Sequence, residues 1–476
     1  MITKYLTATT LLMTLTGCGA ETSTSPAITE PQASQPDPIG ELTLTKSATT
    51  HSQDAYAKFE FSADNASRYH CSLNGLVTLN CTSPFIAYPL DVGEHTFTVE
   101  ALDSASQVLR TQIHTWQTHS IFGDGDNIAA HSDLVATNMQ PAPVSPNSWK
   151  GILRLNCDFA HASYDDPIVF FGQNDRAHLH RFYGNTLTDE HTNIESLFTT
   201  GESSCQGNTL NRSAYWVPTL LAPQFDPNTQ QPLYNNEGEQ LWQVVPAVVG
   251  GDDEAHEVFY YSAGVSDLAS IEPVPLGLKI IAGDHMGQPS MPQDTSIVRW
   301  HCQSWQSDEA NNPRWSTSIP DCKAPDRVRM DIFFPSCWNG VDLDSADHKS
   351  HLAYPQIGTL PNQTICPASH PVPIMRVSYH YAFGVKPDVF DPATQSSKGW
   401  RLASDMYDTN YSAGGMSLHA DWFNGWHPEA LNAILDTCIK TGLDCHDGNL
   451  ANGYRLTGTR PGTQVEPAII NGGAGN

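Results

Sequence analysis

The chain reads as a mainly β protein: a small β-sandwich, then a larger disulfide-stapled domain of sandwich or jelly-roll type with long loops and one late helix. Three observations predict this. Gly and Pro number 34 and 33 in 476 residues, which suits many short strands joined by turns. Apolar and polar residues alternate over short runs, as in Ala57-Lys58-Phe59-Glu60-Phe61, the period of a half-buried strand. Setting Cys18 aside leaves ten cysteines and no C-x-x-C, so staples are expected rather than zinc ribbons or thioredoxin-type redox pairs.

Taken in order, 1–17 reads as an export signal: Lys4, then a short apolar run too rich in Thr to stay as a membrane helix. Leu15-Thr16-Gly17-Cys18 resembles the bacterial lipobox, which implies lipidation of Cys18, and Gly19 after it favours the outer membrane. Residues 18–40 form a Ser/Thr/Pro tether without apolar periodicity. Over 41–118 the alternating runs predict the small sandwich. Cys71 and Cys81 flank Asn74-Gly75, a favoured hairpin turn, so a disulfide is expected across it. Tyr69-His70-Cys71-Ser72-Leu73-Asn74-Gly75 with Cys81-Thr82-Ser83-Pro84 resembles bacterial immunoglobulin-like repeats, which implies a spacer.

Residues 119–134 read as a Gly/Asp-rich hinge and 135–458 as the second domain, followed by a tail over 459–476. Val169-Phe170-Phe171, Tyr215-Trp216-Val217, Val258 to Tyr261, Leu278 to Ile281 and Val372 to Tyr379 are expected as strands. Pro428 suits a first helical position, Leu431, Ile434, Leu435 and Cys438 make an apolar stripe, and Gly442 stops the helix. Pairing the cysteines sequentially gives Cys71–Cys81, Cys157–Cys205, Cys302–Cys322, Cys337–Cys366 and Cys438–Cys445.

A net charge of −27 excludes nucleic acid as the partner, because no Lys/Arg surface is left to neutralise phosphates. The zincin, nucleophile-elbow, P-loop and dinucleotide signatures are all missing. Histidine carries what chemistry is left. His178 and His180 would share one face of an extended segment, a common way to offer two imidazoles to one metal, and Arg176 and Arg181 beside them could clamp an anion. The densest stretch, 333–355 (FFPSCWNGVDLDSADHKSHLAYP), supplies His348 and His351, with Asp344 and Asp347 as ligands or orienting carboxylates. His419 and Asp421 also sit at strand spacing. Tyr215, Trp216, Trp338, Tyr354 and Trp422 are the candidate walls or sugar platforms, with core packing as the competing role.

Several blocks together resemble the family DUF1996, a domain of unknown function found in secreted bacterial and fungal proteins. They are His178-Leu179-His180 with Gly184-Asn185, Ser213 to Pro218, Phe334 to Gly340, Asp347-His348-Lys349-Ser350-His351, Cys366-Pro367 with His370, and His419-Ala420-Asp421 with Gly425-Trp426. The resemblance implies a secreted setting and extracellular polysaccharide. The expected function is therefore a lipid-anchored polysaccharide-degrading enzyme. In one mechanism a divalent metal, zinc or calcium, sits on some of His178, His180, His348, His351 and His419 and activates water. In another, the histidines act with Tyr354 and Arg176 or Arg181 as a lyase. Hydrolysis by two carboxylates and a non-catalytic carbohydrate- or metal-binding protein are the alternatives.

Overall fold

The computed structural model describes residues 41–46, 51–52, 57–87, 90, 93–118, 128, 131–143, 151–246, 257–303, 315–409 and 412–459. The signal, Cys18, the whole tether, most of the hinge and nearly all of the tail lie outside these residues. Alternation sets the first unit: in Ala57–Ser62 the buried residues are Ala57, Phe59 and Phe61. A three-stranded sheet that includes this strand packs on a five-stranded sheet built around Gly93–Leu102 and Val108–Thr118. Phe59 stacks on Phe97 at 4.1 Å between ring centroids, and Phe61 meets Tyr69 edge-on. Cys71 and Cys81 are bridged across the Asn74-Gly75 turn, where both residues adopt positive φ.

The second unit is a larger sandwich. Its seven-stranded sheet includes Ile152–Cys157, Glu257–Ser262, Arg376–Gly384, Arg327–Phe333 and Val298–Gln303 as neighbours, all antiparallel. Its five-stranded sheet includes His180–Gly184, Ala214–Pro218, His419–Phe423 and Lys279–Gly283, also antiparallel. The core between them is aromatic: Tyr183, Tyr215, Phe259, Tyr261, Tyr379, Tyr381, Trp300 and Trp422 are all fully buried. Three of the phenols are bonded there: Tyr215 Oη lies 2.7 Å from Tyr261 Oη, Trp426 Nε1 donates to Tyr261 Oη at 2.7 Å, and Tyr379 Oη donates to the Asp421 carbonyl at 2.7 Å. All five expected disulfides are present.

The late helix spans Pro428–Ile434 with His427 as its cap, and its apolar stripe is buried as expected. It continues as a π-turn over Leu435–Ile439 before Gly442 at φ 70°. One expected strand is not one. Asp166 Oδ1 accepts the N–H groups of Ile168 and Val169, and this capped turn takes the Val169-Phe170-Phe171 run out of any sheet. A short capped helix, Ile194–Thr199, lies where no helix was expected.

Candidate metal centre

Alternation within the five-stranded sheet builds the site. His180, His419 and Asp421 occupy strand positions whose neighbours Arg181, Ala420 and Trp422 point into the sandwich, so they project from the sheet's other face. The register places His180 opposite Pro218 and Asp421 opposite Trp216 on the strand between them, and the His180 and His419 rings come within 5.9 Å across that strand. His178 comes from the turn just before its strand. The His178 ring lies 4.2 Å from that of His180 and 4.9 Å from that of His419. One nitrogen from each of the three falls within 4.8 Å of the others.

The tautomers follow from the partners. His180 Nδ1 is 2.9 Å from the Asp165 carbonyl and His419 Nδ1 is 2.8 Å from the Ser417 carbonyl. A carbonyl only accepts, so both Nδ1 atoms carry the proton and both Nε2 atoms present lone pairs. Nε2 of His178 and of His180 is buried with no hydrogen-bond partner among the described residues. Burial, and then the mutual repulsion of their cationic forms, holds His178 and His419 well below the ordinary imidazole range; burial lowers His180 as well. The cluster is thus neutral and ready to ligate at neutral pH.

Two carboxylates away from the cluster shape it. Asp166 caps the turn from which the Asp165 carbonyl reaches His180. Asp405 accepts from the N–H groups of Leu402, Gly415 and Ser417 and from Ser417 Oγ, fixing the carbonyl that orients His419. The cluster opens on a cavity of about 270 Å³, whose walls include Arg176, His285, His348, Lys349 and Asp421. Burial pushes the Asp421 carboxyl well above its ordinary range, and its Oδ2 is buried without a partner among the described residues.

The residues marked in the sequence part company here. His178, His419, Asp421, Arg176 and His348 line the cavity, and His180 lies behind them, against the His178 ring. His351 does not: it is fully buried, with its ring nitrogens held by Ser345 Oγ at 2.9 Å and the Lys279 carbonyl at 2.7 Å, and neither is left for a metal. His348 lies outside the three-nitrogen group. Tyr215, Trp216 and Trp422 are fully buried and Trp338 nearly so, which leaves no face for a sugar. Truncating such a residue costs about 3–5 kcal/mol, and packing accounts for them. Tyr354 Oη donates to the Phe333 carbonyl, and burial raises its pKa. Arg181 is buried among Phe159, Tyr183 and Phe383, so the lyase arrangement with Tyr354 and Arg181 is not assembled.

His285, Lys349 and Asp405 were missed. His285 lies two residues beyond the strand Lys279–Gly283, with no second ligand type at strand spacing to mark it, and its ring lies 6.0 Å from His419. Nothing local marks Asp405. Three imidazoles form a nitrogen donor set suited to zinc; calcium, which takes six to eight oxygens, does not fit them.

Fold and site define a β-sandwich protein with a three-histidine cluster on the outer face of one sheet. Residues 166–426 match the family described as Domain of unknown function (DUF1996), and the chain belongs to that family. No curated protein and no solved structure matches it.

Proposed function

We propose that the chain is a surface-anchored, metal-dependent hydrolase of extracellular polysaccharide, with zinc on His178, His180 and His419. The observation that carries this reading is the convergence of three imidazole nitrogens within 4.8 Å, at the wall of a cavity. Zinc on three neutral ligands supplies an open coordination position and lowers the pKa of water toward neutrality. The carbonyls of Asp165 and Ser417 keep the rings in the ligating tautomer. Lys349, tied to the Gly283 carbonyl at 2.9 Å, acts electrostatically on both His419 and Asp421 and is placed to meet negative charge developing on a substrate oxygen. A cavity of about 270 Å³ is small for a binding cleft, so it receives a chain end or a side group rather than an internal stretch of polymer. Lipidation at Cys18 would hold the enzyme at the outer membrane on its tether.

The test is elemental analysis of the purified chain, followed by reducing-end, released-substituent and unsaturated-product assays on a polysaccharide panel. About one zinc per chain is expected, with hydrolytic products and no absorbance rise. Metal without turnover on any polymer would sink the hydrolase and leave a metal-binding surface protein. An absorbance rise from unsaturated ends would select a lyase.

A further inference from the structure

The 333–355 stretch contributes none of the three clustered nitrogens, yet Asp344, Ser345, Asp347 and His351 build a fixed loop around one further imidazole. Asp347 Oδ1 accepts the N–H groups of Lys349 and Ser350 and the hydroxyl of Ser345. His351 is pinned by Ser345 and the Lys279 carbonyl. Between these anchors His348 sits at φ 57°, a left-handed conformation that a non-glycine residue adopts at a cost of about 1–2 kcal/mol. Its Nδ1 lies 2.8 Å from Asp344 Oδ1, while Asp344 Oδ2 is 3.6 Å from Lys279 Nζ. The carboxylate is therefore fixed from two sides and holds the proton on Nδ1. The opposite nitrogen, Nε2, makes no hydrogen bond among the described residues, and His348 lines the cavity.

From this geometry we infer that Asp344 and His348 form the proton-transfer dyad of the cavity, with His348 Nε2 as general base and then general acid. The inference rests on the hydrolase reading. As the water oxygen bonds to the electrophilic carbon, Nε2 takes a proton from that water. When the carbon–oxygen bond to the leaving group breaks, Nε2 returns the proton to the departing oxygen. One water is added across one C–O bond, and His348 ends as it began. Asp344 stabilises the transient imidazolium, as an orienting carboxylate does for a catalytic imidazole. The charged groups facing the dyad are Asp347, Lys349 and Lys279 from its own wall and from the adjoining strand, with Arg176, Asp166, His285 and Asp421 across the cavity.

The test uses the full chain loaded with zinc, and His348→Asn, because Asn tolerates the left-handed backbone. Turnover about a hundredfold lower or more is expected, with zinc content and melting temperature unchanged. Asp344→Asn is expected to lower turnover less and to move the acidic limb of the pH profile to lower pH, because the imidazolium loses its stabilising anion. Independently of activity, nitrogen-15 spectra of His348 should show the Nδ1–H tautomer in the native chain and its loss in Asp344→Asn. Loss of zinc in His348→Asn would make His348 a ligand and overturn the dyad. Unchanged turnover, or an Nε2–H tautomer, overturns it as well. If the native chain binds no zinc or cleaves nothing, the hydrolase reading fails first and takes the dyad with it.

Discussion

Two groups of buried histidines lie on the two sheets of the same sandwich, and they differ in what their ring nitrogens do. On the five-stranded sheet, His180 and His419 each spend Nδ1 on a carbonyl, while Nε2 of His178 and of His180 is buried without a partner among the described residues. On the seven-stranded sheet, His380 spends both: Nδ1 on Asp331 Oδ1 at 2.7 Å and Nε2 on Ser378 Oγ at 3.1 Å. In outline the second group is a Ser-His-Asp arrangement, the geometry of a nucleophilic hydrolase. Ser378 is fully buried, however, and Asp331 is also held by Arg299 at 3.2 Å and Arg329 at 3.6 Å. Burial would raise the Asp331 carboxyl, but His380 and the flanking cations hold it below the usual carboxylate range. The lesson is one of convergence as well as polar satisfaction: His380 has both its bonds made, whereas the bare nitrogens of His178 and His180 meet a nitrogen of His419 within 4.8 Å, and His161, bare on both nitrogens, stands outside that group.

The largest effect that could break this contrast is at the metal centre. His419→Ala is expected to abolish bound zinc and turnover. Chelation should destabilise the native chain by about 4 kcal/mol, measured against zinc at a thousandfold excess over its dissociation constant, and leave the variant's melting temperature unmoved. A variant that still binds zinc would show that the bare nitrogens are not ligands. Next comes Asp331→Ala, which leaves His380, Arg299 and Arg329 around an empty carboxylate position. A loss of about 3–5 kcal/mol in urea unfolding is expected, with zinc content unchanged; loss of zinc would join the two groups into one.

A third expectation concerns His161, buried and stacked on Phe182 at 4.6 Å, whose pKa burial lowers from 6.5 to about 4. Its folded pKa is depressed, so the unfolded chain takes up this proton first. Its contribution to stability is complete above pH 6.5 and falls away as pH drops to about 4, by about 3 kcal/mol in all. His161→Phe should flatten that part of the stability–pH curve; an unchanged slope would assign the acid sensitivity elsewhere. The smallest effect sharpens the comparison most. Ser378→Ala should cost about 1 kcal/mol, one hydrogen bond, and leave hydrolysis intact. Loss of all activity would make Ser378 a nucleophile and reverse the roles of the two groups.

Much of the site was legible because it obeys period two. His178-Leu179-His180 and His419-Ala420-Asp421 announce a shared face without any knowledge of neighbours. The aromatic residues misled, because a tryptophan on a strand carries the same local pattern whether its sheet face meets water or another sheet. Trp216 and Trp422 lie on adjacent strands, yet both are covered, one by the small outer cluster with Phe182 and Leu197, the other by the inter-sheet core. His348 and His351 misled in a finer way. Three residues apart in one loop, they end with opposite fates, because Lys279 on a separate strand closes one ring with its carbonyl and steadies the other's carboxylate with its ammonium.

What the sequence determined by itself was local: the strand periods, the capped late helix, the turn at Asn74-Gly75, and a disulfide set that follows chain order. Each depends on residues close along the chain or on the simplest loop closure, so neighbours sufficed. The tertiary structure alone decided which histidines meet. That choice depends on the register of three antiparallel strands, on the Asp405 carboxylate gathering the segment before His419, and on carbonyls from distant turns that select each ring's tautomer. Such contacts are set by packing the two sheets, and no spacing within the chain encodes them.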